Sequence, residues 1–467
     1  MKLSELLADL PPVRTVAGAR ERIARQLAES RTHVVVIDDD PTGTQTVHGV
    51  RVYMDWSVDT LRQALTSGKL ASFISANTRA LRAEAVTALA TEIGRNVREA
   101  AAKENMRVVV ASRSDSTLRG HFPCEVNCLS RGMDVEFDGV IIAPAFFEAG
   151  RYTINNVHWV DQGDSVVPAS ETEFAKDPTF GYVNSNMRLW VQEKTEGSVA
   201  ASEVHCISLD TIRLGGPSAV ADELMDVTAG RPVVVNAACY DDHEVFMLGL
   251  ITAEERGKRF IYRCAAPFVK VRAGIVNRPH LTAREMGVTD SPGLIVVGSY
   301  VGKTSRQLDS LIESGLAAGV ELDVDAVMDE ATRDGEISRV ASWIDARMAE
   351  AKCAAMYTSR TARSSDDKHF LELGERIMSA VCGVVSAVTI RPGFVLAKGG
   401  ITSMEVARAG LGVTGAAVLG QIRDGVPVWT LGSEARWPGV PYIVFPGNVG
   451  DDNALRDTVA ILMEANR

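Results

Sequence analysis

Short apolar runs rich in β-branched residues alternate with helical stretches along this 467-residue chain, and that alternation constrains its fold more than any other feature. HVVVI at 33–37, RVVVA at 107–111, GVIIA at 139–143 and PVVVN at 232–236 read as strands buried on both faces. Between the first two, Val86, Leu89, Ile93 and Val97 mark one stripe of a helix over 83–103, with Glu, Arg and Lys interspersed. Strand, helix, strand in that order predicts a largely parallel sheet, whose ligands gather beyond the carboxyl ends of the strands.

A second set, GLIVV at 293–297, AAMYT at 354–358, GFVLA at 393–397 and YIVF at 442–445, repeats the pattern. The stretch 274–292 between the sets is rich in turn residues and weakly periodic, which makes it the linker. The chain is also longer than one core usually supports. The expected fold class is therefore α/β with two domains, each a largely parallel sheet flanked by helices, and an active site in the cleft between them. The expected bounds are a helical amino-terminal extension at 1–30, a first domain at 31–287 and a second at 288–467.

Composition narrows the function. A hydrophobic fraction of 46% and a charged fraction of 23% are ordinary for a globular protein. No run reaches the roughly eighteen apolar residues of a membrane span, and the amino terminus lacks the apolar core of a signal peptide. The net charge of −11 leaves no basic footprint for nucleic acid. Seven cysteines without a CxxC pair argue against a disulfide framework or a structural zinc site. Cys124 and Cys128 could share a helix face, but no metal ligand is assigned. These features predict a cytoplasmic protein with neither membrane nor nucleic-acid partner; a homo-oligomer remains open.

Polar motifs crowd the expected strand ends. The first strand runs into Asp38-Asp39-Asp40-Pro41-Thr42-Gly43, and adjacent carboxylates must be held by cations, hydrogen bonds or a metal, or else have raised pKa values. The run also reads as a solvated turn capping a helix; as a functional run it offers Asp39 or Asp40 as general base. The next strand ends in Ser112-Arg113-Ser114-Asp115-Ser116-Thr117-Leu118-Arg119-Gly120-His121. Arginine grips a carboxylate bidentately while Asp and Ser read hydroxyls, so Arg113 and Arg119 are candidate anion clamps, with surface salt bridges as the plainer alternative. Pro144 to Arg151, then Asn155, Asn156 and His158, add polar groups, and His158 reads equally as structural or catalytic.

Three turns in the second half suit phosphate. Gly298-Ser299-Tyr300-Val301-Gly302-Lys303-Thr304 looks like a P-loop, but three residues between the glycines instead of four exclude that motif. A glycine-rich turn at a helix amino terminus still presents free amides to phosphate. Lys398-Gly399-Gly400-Ile401-Thr402 and Gly447-Asn448-Val449-Gly450 offer the same chemistry after their own strands. Each alone is an ordinary turn; three at strand ends of one domain point to a nucleotide.

This order of motifs resembles the four-carbon acid sugar kinase family over most of residues 30–460. Asp39, Asp40, Thr42 and Gly43 match its opening motif, residues 115–120 its Asp-Ser-Thr-Leu-Arg-Gly, and Pro144, Ala145, Phe146, Gly150 and Arg151 its next. Glu173-Phe174 and Asp177-Pro178 look like its following segment. The resemblance implies ATP contacts at Ser299, Gly399, Gly400, Ile401, Thr402, Gly447 and Asn448, and transfer of the γ-phosphate to a hydroxyl of threonate, erythronate or their oxo derivatives. Asp38, Pro41 and His121 depart from the family's usual residues, which bears on the particular acid.

The expectation is then that Thr42, Gly43, Arg113, Asp115, Ser116, Arg119, Gly120 and Arg151 surround the sugar acid, that Asp39 or Asp40 deprotonates its hydroxyl, and that Mg2+ accompanies ATP. A non-catalytic sugar-acid receptor would leave the three phosphate-ready turns unused. A dinucleotide-dependent dehydrogenase would need a GxGxxG after a strand, and none follows one.

Overall fold

The computed structural model describes residues 1–40, 42–298, 302–359, 367–447 and 449–464. The chain divides into two compact units: Met1–Gly43 with Asp55–Asn277, and Thr44–Met54 with Arg278–Arg467. In chain order the strands up to residue 277 are β1 Thr32–Asp38, β2 Val50–Tyr53, β3 Ala71–Ser75, β4 Arg107–Arg113, β5 Gly139–Ala143, β6 Arg151–Ile154, β7 Val157–Asp161, β8 Val166–Pro168, β9 His205–Ile207, β10 Arg231–Val235 and β11 Phe260–Cys264. Of these only β2 belongs to the second unit.

In the first unit a wholly parallel sheet has the order β3-β1-β4-β11-β5-β10-β9, and β6-β7-β8 form a small antiparallel sheet. Every position of β1 is buried, as its uninterrupted apolar run requires. Helix Ala83–Glu104 buries Val86, Ile93 and Val97 of the expected stripe. It meets helix Cys124–Met133 at Gly94 and Gly132, where a Cβ on either would strike the other helix's backbone. The amino-terminal segment is helical at Leu3–Ala8 and Ala19–Glu29. The second of these is pinned to the unit by Arg20, which donates to Glu244 Oε1 at 2.7 Å and to the Ile275 carbonyl at 2.7 Å.

The second unit adds β12 Leu294–Val297, β13 Ala317–Leu322, β14 Cys353–Thr358, β15 Val395–Lys398, β16 Gly415–Arg423, β17 Val426–Leu431 and β18 Pro441–Phe445. Its sheet runs β13-β14-β12-β15-β18-β17-β16-β2, parallel through β18 and antiparallel from there to β2. Trp429 Nε1 donates to Thr44 Oγ1 at 3.0 Å, anchoring the segment that carries β2. The second unit begins ahead of the expected 288. Leu281 N bonds the Gln421 carbonyl at 2.7 Å, and Leu281, Ala283 and Met286 enter this unit's core. All seven cysteines are free. Among the described residues no helix is long and apolar enough to cross a membrane.

Candidate active site

Parallel pairing puts the carboxyl ends of β1, β3, β4 and β11 side by side, so the residues leaving them share one rim. The register sets Asp38 opposite both Ser75 and Arg113. Arg113 closes on Asp38, with Nε 2.7 Å from Oδ1 and Nη2 on the same oxygen, and Nη2 also donates to the Asp40 carbonyl at 3.0 Å. Expected as an anion clamp, Arg113 is thus engaged by the chain's own carboxylate. Gly43 packs against that carboxylate so closely that any Cβ would collide with it.

Asp40 is held in a second way. Thr42 donates to its Oδ1 through backbone N, at 2.7 Å, and through its hydroxyl, while Arg79 Nη2 pairs with Oδ2. Burial alone would raise Asp40, but Arg79, Arg113 and Thr42 outweigh it and hold the carboxyl below its ordinary range.

Asp39 is different. Its carboxyl is 2% exposed at residue level, and Oδ2 accepts from Asp115 N at 3.1 Å. Oδ1 is buried and has no hydrogen-bond partner, with Arg113 Nη2 standing 3.4 Å away. Burial pushes Asp39 up, against the pull of Arg79 and Arg113. Burial raises Asp38 as well, to about 7 against the pull of Arg113, but its Oδ1 is taken by that arginine, so Asp39 is the one that joins a raised proton affinity to an oxygen without a partner. Gly120, at φ 113°, adopts a backbone conformation suited to glycine, and a Cβ there would approach Asp39 Oδ2 to 3.4 Å.

The Asp115 to Arg119 loop forms the adjoining wall. Asp115 Oδ2 accepts from Arg119 Nε at 2.7 Å and from the Thr117 hydroxyl, while Arg79 Nη1 lies 3.5 Å from Oδ1. Burial opposes, but Arg79, Arg119 and Thr117 hold Asp115 far below the usual carboxylate range. Arg151 Nη1 donates to Ser116 Oγ at 2.7 Å, and its buried Nε has no hydrogen-bond partner. The guanidinium carbons of Arg119 and Arg151 lie 5.3 and 5.5 Å from the Phe174 ring centroid, so one aromatic ring collects two cations. His158 Nε2 faces the Ser116 carbonyl at 2.7 Å and must donate to it, leaving Nδ1 to accept from Thr153 at 3.1 Å. Burial first, with only the Ser116 bond opposing strongly, pushes this histidine down to about 3, which fixes a neutral structural role.

Sequence reasoning missed Arg79, whose Nη1 and Nη2 together face Asp39, Asp40 and Asp115. The signal was available: ASFIS at 71–75 is a strand followed by Asn77-Thr78-Arg79, the same strand-then-polar pattern as at the other ends. It missed Glu125 as well, a buried acid that accepts from Ser112 Oγ at 2.5 Å and Thr78 Oγ1 at 2.6 Å.

In the second unit β12, β15 and β18 are successive neighbours, so their carboxyl ends lie side by side. Gly399 has φ 116°, and its N bonds the Phe445 carbonyl at 2.8 Å. Gly400, Ile401 and Thr402 open helix Gly400–Glu405, with Ile401 exposed and Thr402 buried so tightly against Gly298 that a Cβ on that glycine would strike its hydroxyl. Ser299 and Asn448 lie outside the described residues. Lys398, also not singled out, is fully buried and donates to the Pro446 and Gly447 carbonyls at 3.0 and 3.4 Å, tying the second turn to the third. Burial, aided by Lys303, lowers its ammonium to about 7. Thr304 Oγ1 and Lys303 Nζ reach the Gly447 and Gly450 carbonyls at 3.4 and 3.2 Å, so this lysine and threonine support a neighbouring turn and do not form a P-loop.

Comparison with known proteins finds two domain models in order, the first of which runs through residues 44–54 that pack with the second unit. The sugar-binding N-terminal domain model matches residues 34–272 and the nucleotide-binding C-terminal domain model residues 294–455. A D-threonate kinase of Salmonella typhimurium is 26% identical over 76% of this chain and 81% of its own length. A D-erythronate kinase of Heliobacterium modesticaldum is 28% identical over 66% and 67%. A candidate tRNA synthase from Salmonella typhimurium LT2 shares the fold at TM-score 0.67 and 17% identity, covering 92% of this chain and 98% of that one. A Haemophilus influenzae protein of a family described as a domain of unknown function does so at TM-score 0.63 and 18% identity, covering 92% and 100%. With both domain models matched in order, this chain belongs to the four-carbon acid sugar kinase family.

Proposed function

We propose that the chain is an ATP-dependent kinase that phosphorylates a hydroxyl of a four-carbon sugar acid of the threonate, erythronate or oxo-tetronate type. The observation that carries the reading is the contrast among three neighbouring aspartates. Asp40 is held low by Arg79, and Asp38, though burial raises it to about 7, has its Oδ1 bound by Arg113, whereas Asp39 combines a raised proton affinity with a buried oxygen that has no partner. A general base needs a free lone pair and a proton affinity above that of an ordinary carboxylate, and Asp39 has both. The relatives named D-threonate kinase and D-erythronate kinase support the choice of acid.

In this mechanism Arg119 and Arg151 receive the acid's carboxylate, Asp115 and Ser116 read its hydroxyls, and Asp39 Oδ1 accepts the proton of the attacking hydroxyl. ATP supplies the phosphoryl group, and Gly399, Gly400, Ile401, Thr402 and Gly447 are the described residues suited to hold it, with amides and glycine surfaces that tolerate close approach. Phosphoryl transfer asks mainly for alignment and charge neutralisation, which guanidinium and backbone amide groups provide. Mg2+ enters with the triphosphate, where it needs few protein ligands. The free cysteines suit a reducing compartment, and we assign the enzyme to the cytoplasm.

The test is to incubate the purified protein with Mg-ATP and a panel of four-carbon sugar acids, following ADP release and product mass. One acid should be phosphorylated, and Asp39→Asn should lower kcat by about a hundredfold or more with unchanged ATP affinity. Near-normal turnover in Asp39→Asn together with a large loss in Asp40→Asn would move the base to Asp40. ATP binding without any phosphorylated acid would favour the receptor reading.

A further inference from the structure

The Asp115–Arg119 loop is held from its inner side by buried donors. His158 Nε2 donates to the Ser116 carbonyl at 2.7 Å and the Tyr182 hydroxyl to the Thr117 carbonyl at 2.8 Å. Arg263 takes the two ends, its Nη2 donating to the Asp115 carbonyl at 3.4 Å and to the Arg119 carbonyl at 3.1 Å. In a trans peptide the N–H of the next residue points opposite to the carbonyl. These bonds therefore turn the amides of Ser116, Thr117 and Gly120 away from the interior.

Arg263 stands in β11, opposite Ser112 of β4 and Ile142 of β5, and is 1% exposed. Its Nε and Nη1 have no hydrogen-bond partner, and its Cζ lies 5.0 Å from the Trp190 ring centroid. Burial works against the charge, while Asp115, Asp39 and Glu125 support it without a hydrogen bond. Other arginines of the rim are committed by contact: Arg113 to Asp38, Arg79 to Asp40 and Arg119 to Asp115. A guanidinium buried without a carboxylate partner is costly to the fold, so its retention asks for a use. An incoming acid adds a negative charge to a rim that already holds four aspartates, and an uncommitted cation beneath the loop offsets that repulsion.

We propose that Arg263 is a positioning residue for the sugar acid. It fixes both ends of the Asp115–Arg119 loop and places under it, without touching the ligand, a positive charge that no carboxylate of the described chain neutralises by contact. The inference rests on the kinase reading for the identity of the ligand.

The test compares the unmodified chain with Arg263→Met and Arg263→Lys, using D-threonate and D-erythronate as acids. Steady-state kinetics with Mg-ATP gives KM for acid and for ATP, and calorimetry without nucleotide gives Kd for the acid. Arg263→Met should raise KM and Kd for the acid at least about tenfold and leave KM for ATP unchanged. Arg263→Lys keeps the charge and should recover at least about threefold of that loss. If the methionine chain does not fold, the lysine chain carries the test, and its acid Kd should exceed that of the unmodified chain by at least about threefold. An arginine that served only the core would lower the melting temperature without separating acid from ATP. An unchanged acid KM, equal losses for acid and ATP, a lysine chain no better than the methionine chain, or failure of both to fold would overturn the proposal. The kinase reading fails separately: an unmodified chain that binds either acid but releases no ADP ends that reading, and the Kd values still judge Arg263. If the unmodified chain binds neither acid, both fall.

Discussion

At the scale of single residues the site is an exercise in unequal neutralisation. Three aspartates in a row cannot all stay ionised without cations, and Arg113 and Arg79 are shared so that the middle one is the least satisfied. Replacing Arg79 by alanine removes the cation common to Asp39, Asp40 and Asp115. We expect kcat/KM for the sugar acid to fall by about a hundredfold or more, with ATP affinity unchanged. Losing that cation also raises the carboxyl pKa of Asp39, so the acidic limb of the pH–rate profile should move to higher pH. A merely structural arginine would lower activity without moving the limb. Arg79 was the residue least legible in the sequence. Asp39, Asp115 and Arg119 stand in motifs, whereas Arg79 follows a strand whose Ser72 and Ser75 dilute its apolar pattern, and its partners are brought near only by parallel pairing. Arg113 was legible as a charged residue, but not its engagement by Asp38, which depends on cross-strand register.

At the scale of elements, strand ends were readable because buried strands announce themselves as continuous apolar runs, and the polar residues after them stand out. Eight such runs correspond to eight strands of the parallel-paired stretches of the two units. Short or mixed strands were not readable: β2 and β3 are four and five residues long, and local pattern says nothing about which sheet a strand joins. The same limit hid Lys398, which reads as one polar residue before two glycines and gains its meaning from β18 lying beside β15. Lys398→Met removes the tie between the two turns. ATP affinity should drop by about tenfold, the value of one or two lost charge-assisted hydrogen bonds, while sugar-acid binding measured without nucleotide stays unchanged. Equal losses for both ligands would instead indicate general destabilisation.

At the scale of the whole molecule, the first unit buries histidines that must stay neutral. His243 is fully buried against Phe147 and Phe268, neither ring nitrogen has a hydrogen-bond partner, and burial lowers it to about 4. Its folded pKa lies below the unfolded value of 6.5, so between pH 6.5 and about 4 the unfolded chain binds the extra proton. Its contribution to stability is fully present above pH 6.5 and is lost as the pH falls through that window. Comparing urea unfolding at pH 6.5 and 5, the His243→Leu chain should lose about 1.5 kcal/mol less than the unmodified chain. An identical loss in both would mean that His243 is protonated in the folded state.

The excursion of residues 44–54 has a consequence for anyone who divides this protein. A fragment cut after Asn277 takes β2 away from the sheet it completes and leaves β16 with a bare flank of amides and carbonyls, the surface on which strands of other molecules add. The carboxyl-terminal fragment alone should therefore self-associate, and a synthetic peptide of residues 44–54 should return it to a monomer in sedimentation. The gene is linear, but its two working parts are interlaced: a stretch translated among the first fifty-odd residues waits for more than three hundred others before its partner strand exists.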